Sequence, residues 1–348
     1  MPGSPVRGST DDPMLTTPPP ESLAIINARV VDEVLSLSEA IELVALAMKE
    51  LSAGFVNAPE RAGIVVSPEG KMVLMPGSMP RIQRFGVKTL SLMSSASKRG
   101  LPSHQGVMLL FDCQSGRPLC AIDSHAITGL RTAAATAVAT RGLARADARR
   151  VAILGCGSLA KLHIEALLQV RAVEDIRIWS RTPGRAQSFA EEVAGLFAAK
   201  IHAAGTAREA IDGADIICTL TGSDTPVLEG KWLSPGQHLN LVGASTRASR
   251  EVDDEAVVRG YYIADCRSHA LQQAGELRHA MEGGYVTEEH IAGEIGEILN
   301  GTKPGRSDPS MITIYKSLGH VAQDIRVADA LFSRLDRSKE VIWAPWPA

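Results

Sequence analysis

The stretch VAILGCGSLAKLH (Val151–His163) constrains this chain more than any other. An apolar run passes straight into Gly155-x-Gly157-x-x-Ala160, and a helical pattern follows without a linker. A strand can enter a helix that tightly only if the first glycine makes the turn and the last position is small enough for the two elements to pack. The middle glycine leaves bare backbone, and the free N–H groups at the helix start then favour a phosphate. Gly155, Gly157, Ser158, Leu159 and Ala160 are therefore expected to cradle a dinucleotide.

The residues around this turn agree with it. Beyond Arg149 come RVAILG, SLAKLHIEALLQVR, DIRIWS, GRAQSFAEEVAGLFA, KIHAA, AREAIDGA, DIICTLT, HLNLVG and YYIADC. Strands alternating with helices of this length predict a Rossmann-type, doubly wound parallel sheet over 146–309. A helix with a Gly-Pro exit is expected between Thr287 and Gly305. Upstream the pattern differs. SLSEAIELVALAMKELSAG reads as a helix capped by Ser38 and ended by Gly54. AGIVVSPEGKMVLMPGSM and QGVMLLFDCQSGRPLCAIDS read as hairpins, turning at Pro68-Glu69-Gly70 and Gln114-Ser115-Gly116, with RFGVKTLSLM as a strand between them. Without crossover helices this region should form a mostly antiparallel sheet. SMITIYKSLGHVAQDIRVADALFSRL starts like a strand, becomes an amphipathic helix, and is placed back against that sheet. The expectation is an α/β chain in which the Rossmann domain is inserted into a discontinuous α+β domain (23–145 and 310–348), after a disordered tail over 1–22.

Bulk properties narrow the partners. A net charge of −3 without a strongly basic face argues against nucleic acid. No apolar run is long enough to span a bilayer. Five scattered cysteines (Cys113, Cys120, Cys156, Cys218, Cys266) imply free thiols in a reducing compartment, hence a cytoplasmic protein. The nine histidines show no metal-ligand spacing, so no metal is expected. At the end of the second strand, where an acid would favour NADH, the chain has Ser180, Arg181 and Thr182. Arg181 can pair with a 2′-phosphate, which favours NADPH over NADH.

Taken in order, FGVKTLSL, HQGVMLLFD, ITGLRTAAATAVATRGLAR, ILGCGSLAKLH, IRIWSRT, LNLVGAS…EVDDE and YKSLGHVAQD resemble the ornithine cyclodeaminase/mu-crystallin family from about Leu23 to Leu335. That resemblance implies a homodimer joined through the discontinuous domain, which also binds substrate, and redox chemistry on α-amino or α-imino acids. It also implies roles for residues. Arg131 and Arg61 would hold the substrate carboxylate, and Lys88 would be the active-site lysine. Thr221, Val242, Gly243, Ser317 and Gly319 would lie near the nicotinamide. Met75, Met93 and His104 are pocket-wall candidates, and Met75 is carried as substrate-binding. The chemistry is coherent. A guanidinium fork suits a planar carboxylate, and a lysine beside C=N can supply a proton once hydride reaches carbon.

One departure decides between activities. The cyclodeaminases of the family carry an aspartate just after the VG turn, where this chain has Ala244 and Ser245. Asp253 and Asp254 lie downstream but look like the start of a helix. The expectation is thus an NAD(P)H-dependent ketimine reductase acting on Δ1-pyrroline-2-carboxylate or Δ1-piperideine-2-carboxylate. Ornithine cyclodeamination, an alanine-dehydrogenase-like activity and non-catalytic nucleotide-dependent binding are the alternatives.

Overall fold

The computed structural model of the chain describes residues 22–93, 96–102, 104–336 and 340–346. The tail expected over 1–22 lies outside the described residues except for Ser22, which opens a strand.

A seven-stranded sheet is built from β1 (Ser22–Ile26), β2 (Ala62–Ser67), β3 (Gly70–Met79), β4 (Arg84–Met93), β5 (His104–Asp112), β6 (Pro118–Asp123) and a C-terminal strand, Ile342–Pro345. Its order runs from the C-terminal strand through β1, β6, β5, β4 and β3 to β2. All pairs are antiparallel except β1 with β6. Both expected hairpins are present, and Ser67 pairs with Gly70 across the first turn.

Against this sheet lies α3 (Ser124–Leu143), and α1 (Ala28–Val34) and α2 (Leu37–Ser52) pack on α3. The cap of α2 is Ser36 and not Ser38. Its hydroxyl accepts the Glu39 N–H, and the Glu39 carboxylate returns to the Ser36 backbone. This reciprocal pair outcompetes a serine two residues later, which lacks the acid three positions on. In α3, Asp123 caps the start, and Arg131 is the eighth residue of the helix. Residues Ala133–Ala135, Ala137 and Ala139 are fully or almost fully buried. Small side chains let α3 run between the two sheets, touching both. Asn240 reaches across to donate to the Thr140 hydroxyl at 3.0 Å.

The second sheet is wholly parallel. It contains β7 (Arg150–Leu154), β8 (Asp175–Trp179), β9 (Lys200–Ala203), β10 (Ile216–Thr219), β11 (His238–Leu241), β12 (Gly260–Ala264), β13 (Ile291–Glu294) and β14 (Ile312–Lys316). The order is β13-β12-β14-β11-β10-β7-β8-β9. Helices α4 (Ala160–Leu168), α5 (Arg185–Val193), α6 (Ala207–Ile211), α7 (Asp254–Arg259), α8 (Arg267–Gln273), α9 (Gly275–Glu282) and α10 (Ile295–Leu299) connect it. Strand order reverses between β7 and β10, and a ligand crevice forms at such a switch point.

Two expectations need correction. The helix placed between Thr287 and Gly305 is short, because Ile291–Glu294 first adds an edge strand beside β12. The strand placed with the first domain, Ile312–Lys316, instead enters the parallel sheet between β11 and β12. Its five residues are all buried, so both faces need cover, which only the interior of the parallel sheet provides. The chain then leaves for the first sheet, where α11 (Val321–Ser333) packs on β3, β4 and β5. The final strand, Ile342–Pro345, is β15.

Candidate active site

A cleft of about 1130 Å³ opens between the two sheets. One side is formed by Gly157, Ser158 and Leu159 together with Thr221, Val242 and Gly243. Gly155 lies under the turn at φ 122°, a backbone that L side chains rarely adopt, and an added Cβ would stand 2.7 Å from the Leu220 carbonyl. Gly157 faces open space, with nothing within 4 Å of such a Cβ. Ala160 is fully buried where α4 meets the sheet. The turn therefore has the bare backbone and the small packing residue that a pyrophosphate cradle requires. Ser180, Arg181 and Thr182 follow β8 and are not among the residues that line the cleft, while Arg185 at the start of α5 lines it and donates to the Cys156 carbonyl.

The opposite side carries charge. Arg131 lines the cleft from α3, and Arg61, Met75, Ser317 and Gly319 line it too. Lys88 does not. It is fully buried on β4, opposite Met75 in register, one layer behind the wall. Its ammonium donates to Asp324 at 2.8 Å and to the hydroxyl of Thr128 at 3.3 Å. Arg131 gives Nε to the same Asp324 oxygen at 3.2 Å and Nη1 to Gln323 at 3.2 Å. Burial, and then Arg131, push the Lys88 ammonium down to about 7, against the pull of Asp324. Arg61 donates from Nη2 to the carbonyls of Leu318 and Gly319. Gly319 adopts φ 78°, and any side chain there would collide with the Arg131 guanidinium.

Three buried carboxylates hold these parts, and none was singled out in the sequence. Asp324 stands in the first turn of α11, which His320 and Gln323 cap. Glu251 accepts from Thr219, from the backbone and hydroxyl of Thr221, and from the N–H groups of Gly243 and Ala244. It thereby ties the ends of β10 and β11 together beside the cleft, and burial raises its carboxyl. Asp265 accepts from the N–H groups of Leu318 and Gly319 at 2.7 and 2.6 Å. Each occurs in a stretch already quoted, GHVAQD, EVDDE or YYIADC, but nothing in the letters signals burial.

Other candidates separate. Met93 lies at the far end of β4, against Gly70, and the side chain of His104 lies outside the described residues. Asp253 caps α7, and Asp254 pairs with His279 at 2.7 Å, so the two acids serve a helix start. Among the described residues lining the cleft there is no carboxylate. Ala244 is buried with its N–H on Glu251, and Ser245 faces the cleft. Cys266, His269 and His320 come together in space although no sequence spacing announced it. His320 Nδ1 accepts the Ala322 N–H, so its other nitrogen carries the proton and has no lone pair for a metal.

A model of the ornithine cyclodeaminase/mu-crystallin family matches residues 22–339. The Δ1-pyrroline-2-carboxylate reductase of Bacillus cereus is 32% identical over 314 residues, covering 90% of this chain and 96% of the relative. Ketimine reductase mu-crystallin of Rattus norvegicus is 32% identical over 287 residues, 82% of this chain and 88% of that one. Among solved structures, the Thermococcus litoralis Δ1-pyrroline-2-carboxylate reductase, in complex with NADH and L-proline, superposes with a TM-score of 0.87 at 33% identity. That similarity covers 90% of this chain and 97% of the other.

Proposed function

The chain belongs to the ornithine cyclodeaminase/mu-crystallin family, and from that premise we propose that it reduces a small α-imino acid to the L-amino acid with NAD(P)H. Cyclic ketimines such as Δ1-pyrroline-2-carboxylate and Δ1-piperideine-2-carboxylate are the substrates of choice. The observation that carries this reading is the composition of the cleft: Arg61 and Arg131 face the glycine turn across it, and no carboxylate joins them among the described residues. Relatives named as pyrroline-2-carboxylate and ketimine reductases support it.

Gly157, Ser158 and Leu159 would hold the pyrophosphate, and Thr221, Val242, Gly243, Ser317 and Gly319 would surround the nicotinamide.

When bound, the reduced nicotinamide supplies the hydride. The rest falls to the chain's own groups on the side of the cleft opposite the glycine turn. Arg131 spends Nε and Nη1 on Asp324 and Gln323, so we assign Nη2 to the substrate carboxylate, with Arg61 on its other side. Val73, Met75, Leu90 and Leu92 form an apolar wall that accepts the ring and keeps water away. Lys88 is the proton source for the nitrogen, held ready in its ammonium form by Asp324. Arg181, with Arg185 beside it and no acid between Trp179 and Arg185, supports a preference for NADPH over NADH.

Dimerisation and location belong to the same reading. Strand β2 ends the first sheet with Ile64, Val65 and Val66 exposed by 50, 80 and 56%, an apolar edge that a second copy would cover. The five free cysteines support a reducing, cytoplasmic setting, and no helix among the described residues is long and apolar enough to cross a membrane. A monomer by light scattering would contradict the dimer.

The deciding experiment is a spectrophotometric assay of NADPH oxidation with both cyclic imines, and with pyruvate plus ammonia, run beside ammonia release from ornithine. The two imines should give the highest kcat/KM. Ammonia release from ornithine without added reductant, or no oxidation with any imine, would overturn the proposal.

A further inference from the structure

Lys88 sits behind the cleft wall with no exposed surface, yet the reaction needs a proton at a nitrogen inside the cleft. One hydroxyl joins the two places. Thr128 lines the cleft, is only half-buried, and accepts from the Lys88 ammonium at 3.3 Å. It stands one helical turn before Arg131 on α3, so it lies on the same face as the guanidinium expected to hold the carboxylate. Its backbone is fixed as well, because the Thr132 hydroxyl donates to the Thr128 carbonyl at 2.6 Å. We propose that Thr128 is the catalytic residue that hands the proton to the substrate nitrogen, with Lys88 replenishing it from behind.

This step rests on the imine-reductase reading. As the imine carbon receives the hydride, the C=N electron pair moves to nitrogen. Nitrogen takes the Thr128 hydroxyl proton, and the Thr128 oxygen takes one from the Lys88 ammonium. Lys88 is left as a neutral amine, which regains a proton from solvent after the amino acid leaves. The sum is imine, reduced cofactor and one proton in, amine and oxidised cofactor out. A hydroxyl is too weak an acid to act alone at neutral pH, and the ammonium behind it removes that difficulty because the alkoxide never accumulates.

The test uses Thr128→Val, which keeps the shape and removes the hydroxyl, and Thr128→Ser, which restores it. Turnover of Δ1-pyrroline-2-carboxylate, the solvent deuterium effect on kcat, and the calorimetric Kd for L-proline in the presence of oxidised cofactor are measured for each. The valine variant should lose about 100-fold in kcat with KM within about threefold, and the serine variant should return to within about tenfold of the native rate. L-Proline binding should change little in either, and the deuterium effect should persist in the serine variant. A valine variant turning over at a third of the native rate or better would show that Lys88 reaches the substrate directly. If valine also abolishes proline binding, the serine variant decides: recovery upholds the relay, and equal inactivity refutes it. A native protein that oxidises no cofactor with either imine removes the reductase reading and the relay together.

Discussion

The two walls of the cleft are built from different materials. On the parallel sheet the working atoms are backbone: Gly157 offers bare N–H groups, and Gly155 holds a positive φ that a side chain would strain. On the other side they are charged side chains seated on regular elements: Arg131 on α3 lines the cleft, and Lys88 on β4 and Asp324 on α11 stand behind it. A wall of the first kind suits a part common to many nucleotides and needs only a local turn. The second must place unlike charges from distant stretches of chain within a few ångströms, and buried ions survive only when each has its partner. Nucleotide binding should therefore be sensitive to small shape changes, and catalysis to single charges.

The largest effect is expected from Arg131→Met. Losing two charge-assisted hydrogen bonds at about 1.5–3 kcal/mol each should lower kcat/KM for the imine by about 10³-fold. Nucleotide affinity, measured by fluorescence titration, should stay within about threefold. A comparable loss in both would mean that the walls are not separate.

Next come the glycines, which divide shape from stability. Gly155→Ala should destabilise the fold by about 1–3 kcal/mol, read as a lower Tm, because its Cβ meets the Leu220 carbonyl at a strained φ. Gly157→Ala has open space around it, so Tm should hold while the nucleotide Kd rises about tenfold. Equal effects on Tm would contradict the assignment of Gly157 to the cofactor.

A pH profile examines the charged wall. Lys88 is faced by Asp324 from α11, by Arg131 from α3, by Arg61 from the segment before β2, and by His320 at the cap of α11. Burial and the two arginines lower it, and Asp324 raises it. Imine reduction needs the ammonium, so kcat should fall as pH rises through about 7. Asp324→Asn removes the stabilising charge and should move that limb to lower pH. A limb that stays in place would separate Asp324 from Lys88 in function.

The smallest change is expected from Arg181→Ala. Pairing at an exposed site is weak, so the preference for NADPH over NADH should shrink by about three- to tenfold. An unchanged ratio would move the 2′-phosphate contact to Arg185.

How much could be read without coordinates follows the same division. The glycine turn was legible because its constraint is local: two glycines and an alanine at fixed spacing after a strand admit few backbones. Both hairpins were legible for the same reason, through Pro68-Glu69-Gly70 and Gln114-Ser115-Gly116. Strand β14 was misplaced because its neighbours β11 and β12 are remote in sequence, and no periodicity reports which sheet a buried strand joins. Arg61, Lys88 and Arg131 came from resemblance, since a lone basic residue in an apolar stretch does not name its partner. Asp324, Asp265 and Glu251 were missed for the converse reason. An acid in a helix or loop usually faces water, and only the fold shows that these three face inward.

A crystal structure of the chain with oxidised cofactor and L-proline would decide whether the two walls serve one reaction. The proline carboxylate should lie on Arg131 and Arg61, its nitrogen within hydrogen-bonding reach of the Thr128 hydroxyl, and its α-carbon facing the nicotinamide across the cleft. A carboxylate bound away from Arg131, or an α-carbon turned from the nicotinamide, would contradict that arrangement.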